Sequence, residues 1–227
     1  MPDRIVLATP HARHDPLERD LKMIPGLEVT RIRTPDALAP GLLQELKPRY
    51  VFFPHWSHRI PAEIYDDFEC VIFHMSDVPF GRGGSPLQNL IVRGFHNTQL
   101  TALRCVEEMD AGDVYMKCPL SLAGTAEQIL RRASDLTGEM IKAILRENPV
   151  PVPQTGEITA FRRRTPQEGD IAGLAGLDKI YDHIRMLDAD GYPSAFLEIG
   201  NLRLEFSAAS LRPDAVEAAV RIIRRKP

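Results

Sequence analysis

Short unbroken apolar runs alternate with longer runs of helical period along the early part of the chain. Ile5–Ala8 is a short apolar run of the kind that forms a buried parallel strand, and Glu28–Ile32, Tyr50–Phe53 and Cys70–His74 are further strand candidates. Between them, Leu17–Ile24, Pro35–Leu46 with Thr34 as N-cap, and Pro61–Phe68 opened by its proline carry helix spacing. This β-α-β-α-β-α-β order predicts an α/β fold: a Rossmann-like, twisted, mostly parallel sheet with helices on both faces. Such sheets bind ligands outside the carboxyl ends of their strands, near a reversal in strand order. Two segments meet that description, Pro54-His55-Trp56-Ser57 and His74-Met75-Ser76-Asp77.

Farther along, Val78–Ser85 holds Pro79 and glycines at 81, 83 and 84 and predicts a loop. Ser85 as cap and Pro86 as first helical residue then open a helix to Val92. Gln99–Cys105 and Val114–Lys117 predict two more strands, with Asp110 and Gly112 in the polar turn between them. The clearest helical period runs over Ala126–Arg146, behind a capping box formed by Thr125 and Gln128. Pro149–Pro153 reads as an extended crossing segment that leads to Arg162-Arg163-Arg164. These signals divide the chain into a larger domain over 1–164 and a small C-terminal α+β region over 165–227. The latter contains a helix at Leu177–Leu187, strands Ala195–Leu197 and Leu202–Phe206 around Gly200-Asn201, and a final helix or tail over Pro213–Arg225.

Composition narrows the function classes. With 227 residues, 44% hydrophobic and 26% charged, the composition is ordinary for a soluble globular enzyme and argues against disorder. A net charge of -3 points away from bulk nucleic-acid affinity. The local exception is Arg162–Arg164, echoed by Arg221, Arg224, Arg225 and Lys226, which reads either as a solvated face or as an anion contact. Three cysteines, Cys70, Cys105 and Cys118, lie in apolar or strand-like segments without paired spacing and read as reduced thiols of a cytoplasmic protein. No leader and no long apolar stretch suggests export or a membrane span.

His74 at a strand end and Asp110 in a turn are the candidate chemistry. A carboxylate beside a histidine fixes the ring tautomer and supports its charged form, which is how proton-transfer centres are built. Between the two lies Pro79-Phe80-Gly81-Arg82-Gly83-Gly84-Ser85-Pro86-Leu87-Gln88. It resembles the loop of the formyltransferase superfamily, His-x-Ser-Leu-Leu-Pro-x-x-x-Gly-x-x-Pro-x-Gln, in which His74, Ser76, Pro79, Gly83, Pro86 and Gln88 match position by position. Met109-Asp110-Ala111-Gly112-Asp113 resembles that family's Asp-x-Gly signature, and Phe161–Ala209 resembles the smaller C-terminal region of its tRNA and sugar enzymes.

The resemblance implies attack of an amine on the formyl carbon of N10-formyltetrahydrofolate. His74 and Asp110 would be catalytic, with His74 stabilising the oxyanion and Asp110 orienting it and helping to remove the amine proton. His55, Trp56 and Ser57, together with Asp110, would bind the folate, and Ser76, Arg82, Gly83 and Gln88 the acceptor. No metal is implied, and the His55/His58 pair lacks a second pair of ligands. One position departs from the family: its catalytic Asn, two residues before the histidine, is Ile72 here. Ser76, His55 and Asn89 are candidate replacement donors.

The short C-terminal region and acidic balance lead to the expectation of a small amine acceptor, an amino sugar or nucleotide-linked sugar as in the sugar N-formyltransferases, and of no grip on tRNA. A formyltetrahydrofolate hydrolase and a non-catalytic folate-binding module are the alternatives. Apolar positions in the C-terminal region are compatible with a homodimer.

Overall fold

The computed structural model describes residues 3–225, so Lys226 of the basic run lies outside the described residues. The elements follow in order as β1 Asp3–Ala8, α1 Asp15–Lys22, β2 Leu27–Ile32, α2 Pro40–Leu46, β3 Tyr50–Phe53, α3 Ala62–Tyr65, β4 Cys70–His74, β5 Phe80–Gly83, α4 Pro86–Ile91 and β6 Asn97–Arg104. They continue with β7 Val114–Ser121, α5 Ala126–Glu147, β8 Thr159–Phe161, α6 Leu177–Arg185, β9 Ala195–Ile199, β10 Leu202–Leu211 and β11 Val216–Arg224. The chain forms two compact units. One takes the chain up to Gly83 with Gln99–Leu120 and Arg131–Ala160; the other takes Gly84–Thr98, Ser121–Leu130 and the chain from Phe161 onward.

The first unit is built on a six-stranded sheet in the order β2-β1-β3-β4-β6-β7. β1 pairs in parallel with β2 and β3, and β3 with β4, whereas β4 and β6 are antiparallel. The fold is therefore α/β with a mostly parallel sheet, as the alternating pattern predicts. Ile5, Val6, Leu7 and Ala8 are all at most 1% exposed, although successive side chains point to opposite faces, so β1 is covered on both sides. One face gathers Val6, Ala8, Val51, Phe53, Leu43 and Ile64 into a single apolar cluster. The chain runs from β1 outward to β2 and returns on the other side as β3, which places the reversal in strand order between the ends of β1 and β3.

The second unit carries a three-stranded antiparallel sheet, β11-β10-β9, with α6 against β10. Here the sequence expectation needs correction. Pro213–Arg225 is not a helix: β11 occupies Val216–Arg224, and the side chains alternate Val216, Ala218, Val220, Ile222 with a period of two. Alanines raised the helical reading, but the branched residues on one face fit a pleated strand better.

Smaller differences have local causes. Pro35–Leu46 divides because Pro40 has no N–H to donate, leaving a single 3-10 turn at Pro35–Ala37 and a helix that begins at Pro40; Thr34 makes no side-chain cap. Ser85 does not cap α4 either. It sits at φ +51°, and its hydroxyl accepts the Arg164 N–H at 3.1 Å. The Val78–Ser85 loop contains β5, which pairs with β8. The Thr125/Gln128 box is present, with N–H to side-chain oxygen distances of 3.0 and 3.3 Å. No helix among the described residues is long and apolar enough to cross a membrane.

Candidate active site at the carboxyl ends of the sheet

β4 ends on His74, which is 7% exposed, and the turn before β7 brings Asp110, 9% exposed, beside it. His74 Nδ1 lies 3.4 Å from Asp110 Oδ2, while Nε2 donates to the Gly81 carbonyl at 2.7 Å. Both ring nitrogens thus face oxygen acceptors. The Gly81 carbonyl also accepts the hydroxyl of Ser76 at 3.1 Å, and the same Asp110 oxygen accepts the Gly83 N–H at 2.9 Å. The glycine-rich loop is thereby pinned at two points by the residues it separates in sequence.

Asp110 itself is held in a left-handed conformation, φ +55°, which a non-glycine residue adopts at a cost. Its neighbour Gly112 explains how the turn fits: a Cβ there would stand 1.9 Å from the Arg104 carbonyl oxygen. Gln154 closes the other side by donating to the carbonyls of Asp110 and Gly112, each at 2.8 Å. Its own carbonyl accepts Arg82 Nε and Nη2 at 3.1 and 2.9 Å, while Arg82 Nη1 reaches Glu108 at 3.0 Å. Gln154 was not foreseen; it follows the Pro-rich crossing segment, and nothing in its local spacing marks it.

Phe53 lies beside Ile72 in the parallel register, so His55–Ser57 and His74–Ser76 leave neighbouring strands at the same edge. His55 adopts φ +48° and tilts its ring against His11, centroids 4.4 Å apart. Trp56 meets Phe53 and His58 edge-on, at 5.9 and 5.4 Å, and packs on the core cluster with its indole N–H buried and unpartnered. Ser57 is exposed. Among the described residues no three His, Cys, Asp or Glu side chains are arranged to hold a metal.

His11 and His14, after β1, stand at the reversal in strand order and were also missed, although the rule that selected the end of β3 applies equally to the end of β1. His14 is 3% exposed; its Nδ1 meets Ser134 Oγ at 2.7 Å, and its Nε2 has no partner. Burial first, then the neighbouring His55, Arg31, His11 and Arg13, hold the His14 imidazole down at about 3. Burial, with His11 and Arg13, does the same for His55. An unfolded His14 takes up a proton near its ordinary 6.5 and the folded one does not, so its contribution to stability is full above that value and is lost as pH falls. Between pH 7 and pH 5 the expected loss from His14 is about 2 kcal/mol. Urea unfolding at the two pH values checks this, since His14→Gln should flatten the difference by that amount.

The remaining candidates make contacts within the chain. Gln88 is in the second unit and donates to the Met186 carbonyl at 3.2 Å. Asn89 donates to the carbonyls of Gly84 and Arg162, at 3.0 and 2.9 Å. Arg162 and Arg164 both pair with Glu168, at 2.8 and 3.6 Å. Cys70 and Cys105 are buried free thiols, and burial pushes Cys105 up to about 11. Ile72 packs between two apolar clusters, on the same strand face as His74.

Known proteins resemble the chain in sequence and in fold. A family model described as the methionyl-tRNA formyltransferase C-terminal domain matches residues 166–223. The chain is 31% identical over 147 residues to a methionyl-tRNA formyltransferase of Gluconobacter oxydans, covering 63% of this chain and 48% of that protein. It thus spans about half the length of the curated relatives it matches. A solved methionyl-tRNA formyltransferase from Clostridium thermocellum superposes with a TM-score of 0.95 at 44% identity, over 98% of this chain and 99% of that one. Rv3404c of Mycobacterium tuberculosis, described as a likely sugar N-formyltransferase, shares the fold at a TM-score of 0.75 and 18% identity, over 95% of this chain and 100% of that one.

The frame is α/β, with a histidine at the end of β4 and a carboxylate from the turn before β7 beside it. The chain belongs to the formyltransferase superfamily. The expectation of an amino-sugar acceptor, and of no role for tRNA, is overturned by the same findings: the 31% and 44% identical proteins are methionyl-tRNA formyltransferases, while the sugar enzyme shares only the fold. The physical fault lay in reading partners from bulk charge and size. Net charge averages over the whole surface, and a recognisable C-terminal domain of the tRNA enzymes fits within 166–223.

Proposed function

We propose that this chain transfers the formyl group of N10-formyltetrahydrofolate to the amine of methionyl-tRNA, in the cytoplasm. The observation that carries the reading is the 44% identity with a methionyl-tRNA formyltransferase over nearly the full length of both chains. The site supports the chemistry. As the amine attacks, negative charge develops on the formyl oxygen and the amine must lose a proton. His74 is the group to stabilise that charge and hand on the proton. Asp110, 3.4 Å from its Nδ1, orients the ring. His55, Trp56 and Ser57, at the end of the adjacent strand, flank the folate. Ser76, Arg82 and Gly83 set the loop that faces the acceptor.

The test is direct. The purified chain, given N10-formyltetrahydrofolate and methionyl-tRNA, should yield formyl-methionyl-tRNA, separable from its precursor on acid gels, with one tetrahydrofolate per formyl transferred. Transfer to an amino sugar or to water, with the tRNA left unformylated, would reject the reading.

A further inference from the structure

Between α5 and β8 the chain forms no regular element, yet its backbone is tethered on either side of Gln154. Just before it, Val152 and Val114 exchange both of their backbone N–H and C=O groups, at 2.8 and 2.9 Å; beyond it, the Thr159 N–H donates to the Pro79 carbonyl at 3.1 Å. The Gln154 carboxamide uses its full capacity in between. Its two N–H groups go to the carbonyls of Asp110 and Gly112, each at 2.8 Å, and its oxygen accepts Arg82 Nε and Nη2 at 3.1 and 2.9 Å. Only one orientation of the amide satisfies these neighbours. Arg82 can do nothing but donate, and an oxygen turned the other way would face two carbonyl oxygens.

We propose that Gln154 is a positioning residue for formyl transfer, its carboxamide holding the turn that keeps the Asp110 carboxylate on His74. This rests on the formyl-transfer reading above. One carboxylate oxygen, Asp110 Oδ2, meets both His74 Nδ1 at 3.4 Å and the Gly83 N–H at 2.9 Å, so a small rotation of the turn breaks one contact or both. The turn does not sit in this conformation by preference. Asp110 is at φ +55°, and a non-glycine residue stays there only where its surroundings over-determine it. The turn supplies one restraint itself, the Ala111 N–H to the Glu108 carbonyl at 3.2 Å. Gln154 supplies two more, one on each side of Ala111, and Arg82 prevents its amide from turning over.

Gln154→Glu is the informative substitution. It keeps the size of the side chain and the contact with Arg82 but replaces the two donors with an oxygen facing carbonyls. Gln154→Met removes the same donors without adding a charge, and both should behave alike. For each, kcat for formyl transfer should fall about 100-fold, with KM for the folate and for methionyl-tRNA held within about twofold. In an Asp110→Asn background the same substitution should cost no more than about twofold further, because there is no longer a carboxylate to position. A residue that only supported the fold would lower activity equally in both backgrounds. Amide hydrogen exchange at Gly83 reads the placement of Asp110 without any acceptor, and it should be at least about tenfold faster in either variant than in wild type. If the wild-type chain formylates no tRNA, the acceptor reading fails and Gly83 exchange still decides the role of Gln154. A folded variant whose Gly83 amide stays as protected as in wild type overturns the proposal. So does one with kcat within about threefold of wild type, or with an equal loss in the Asp110→Asn background.

Discussion

His74→Ala should lower kcat for formyl transfer by about 100- to 10,000-fold, the span associated with removing a positioned acid–base group. Asp110→Asn should approach the same loss by a different route. The amide oxygen can still accept the Gly83 N–H that Asp110 Oδ2 accepts at 2.9 Å, so the loop keeps its anchor. What disappears is the negative charge 3.4 Å from His74 Nδ1. Because the two residues act as one unit, the double variant should be little worse than either single one. Folate binding, followed by fluorescence quenching of Trp56, the single tryptophan, should survive in His74→Ala. If Asp110→Asn kept its activity within about twofold, the carboxylate would be a structural support of the turn and the pair would not be the catalytic unit.

Much of this arrangement was legible in the sequence, for identifiable reasons. Ile5–Ala8 of β1 and the whole of β3 are buried, so their apolar runs stand out against polar connections. His74 and Asp110 were legible because the loop between them has unusual chemistry: glycines and prolines at fixed positions leave few alternatives for the backbone. Gly112 shows why such a pattern carries information, since the Arg104 carbonyl occupies the place of a side chain. What was not legible depends on distant partners. Gln154 reads as one polar residue after prolines and acquires its place only when the chain returns beneath Asp110. His11 and His14 matter because β1 and β3 are neighbours across the strand reversal, a fact of topology and not of local spacing. β11 was misread because alanines between branched residues satisfy a helical period and a strand period alike, and its pairing with β10 decides the outcome. The acceptor was misread for the reason already given, that surface averages do not describe a recognition face.

Ile72→Asn should raise turnover, an unusual direction for a substitution in a buried strand. The family pattern has an amide two residues before the histidine; here that place holds a side chain with nothing to donate. Residues two apart on a strand share a face, so an amide at 72 would lie on the same face as the His74 imidazole. Supplying one oxyanion donor is worth about 100- to 1000-fold in kcat where the site is otherwise formed. The opposing effect is on stability. Ile72 packs against Val78, Leu103 and Val114 on one side and against the larger cluster on the other, and an amide left partly unsatisfied there costs about 1 to 3 kcal/mol. For a chain of this size that lowers the melting temperature by roughly 2 to 12 °C, so the assay belongs well below the transition. The two effects separate in measurement: kcat reports the donor, and a thermal melt reports the core. A folded variant whose kcat does not rise would mean that the oxyanion is already met by another donor in this chain; Ser76 is a candidate, and Ser76→Ala would then take over as the substitution that lowers kcat.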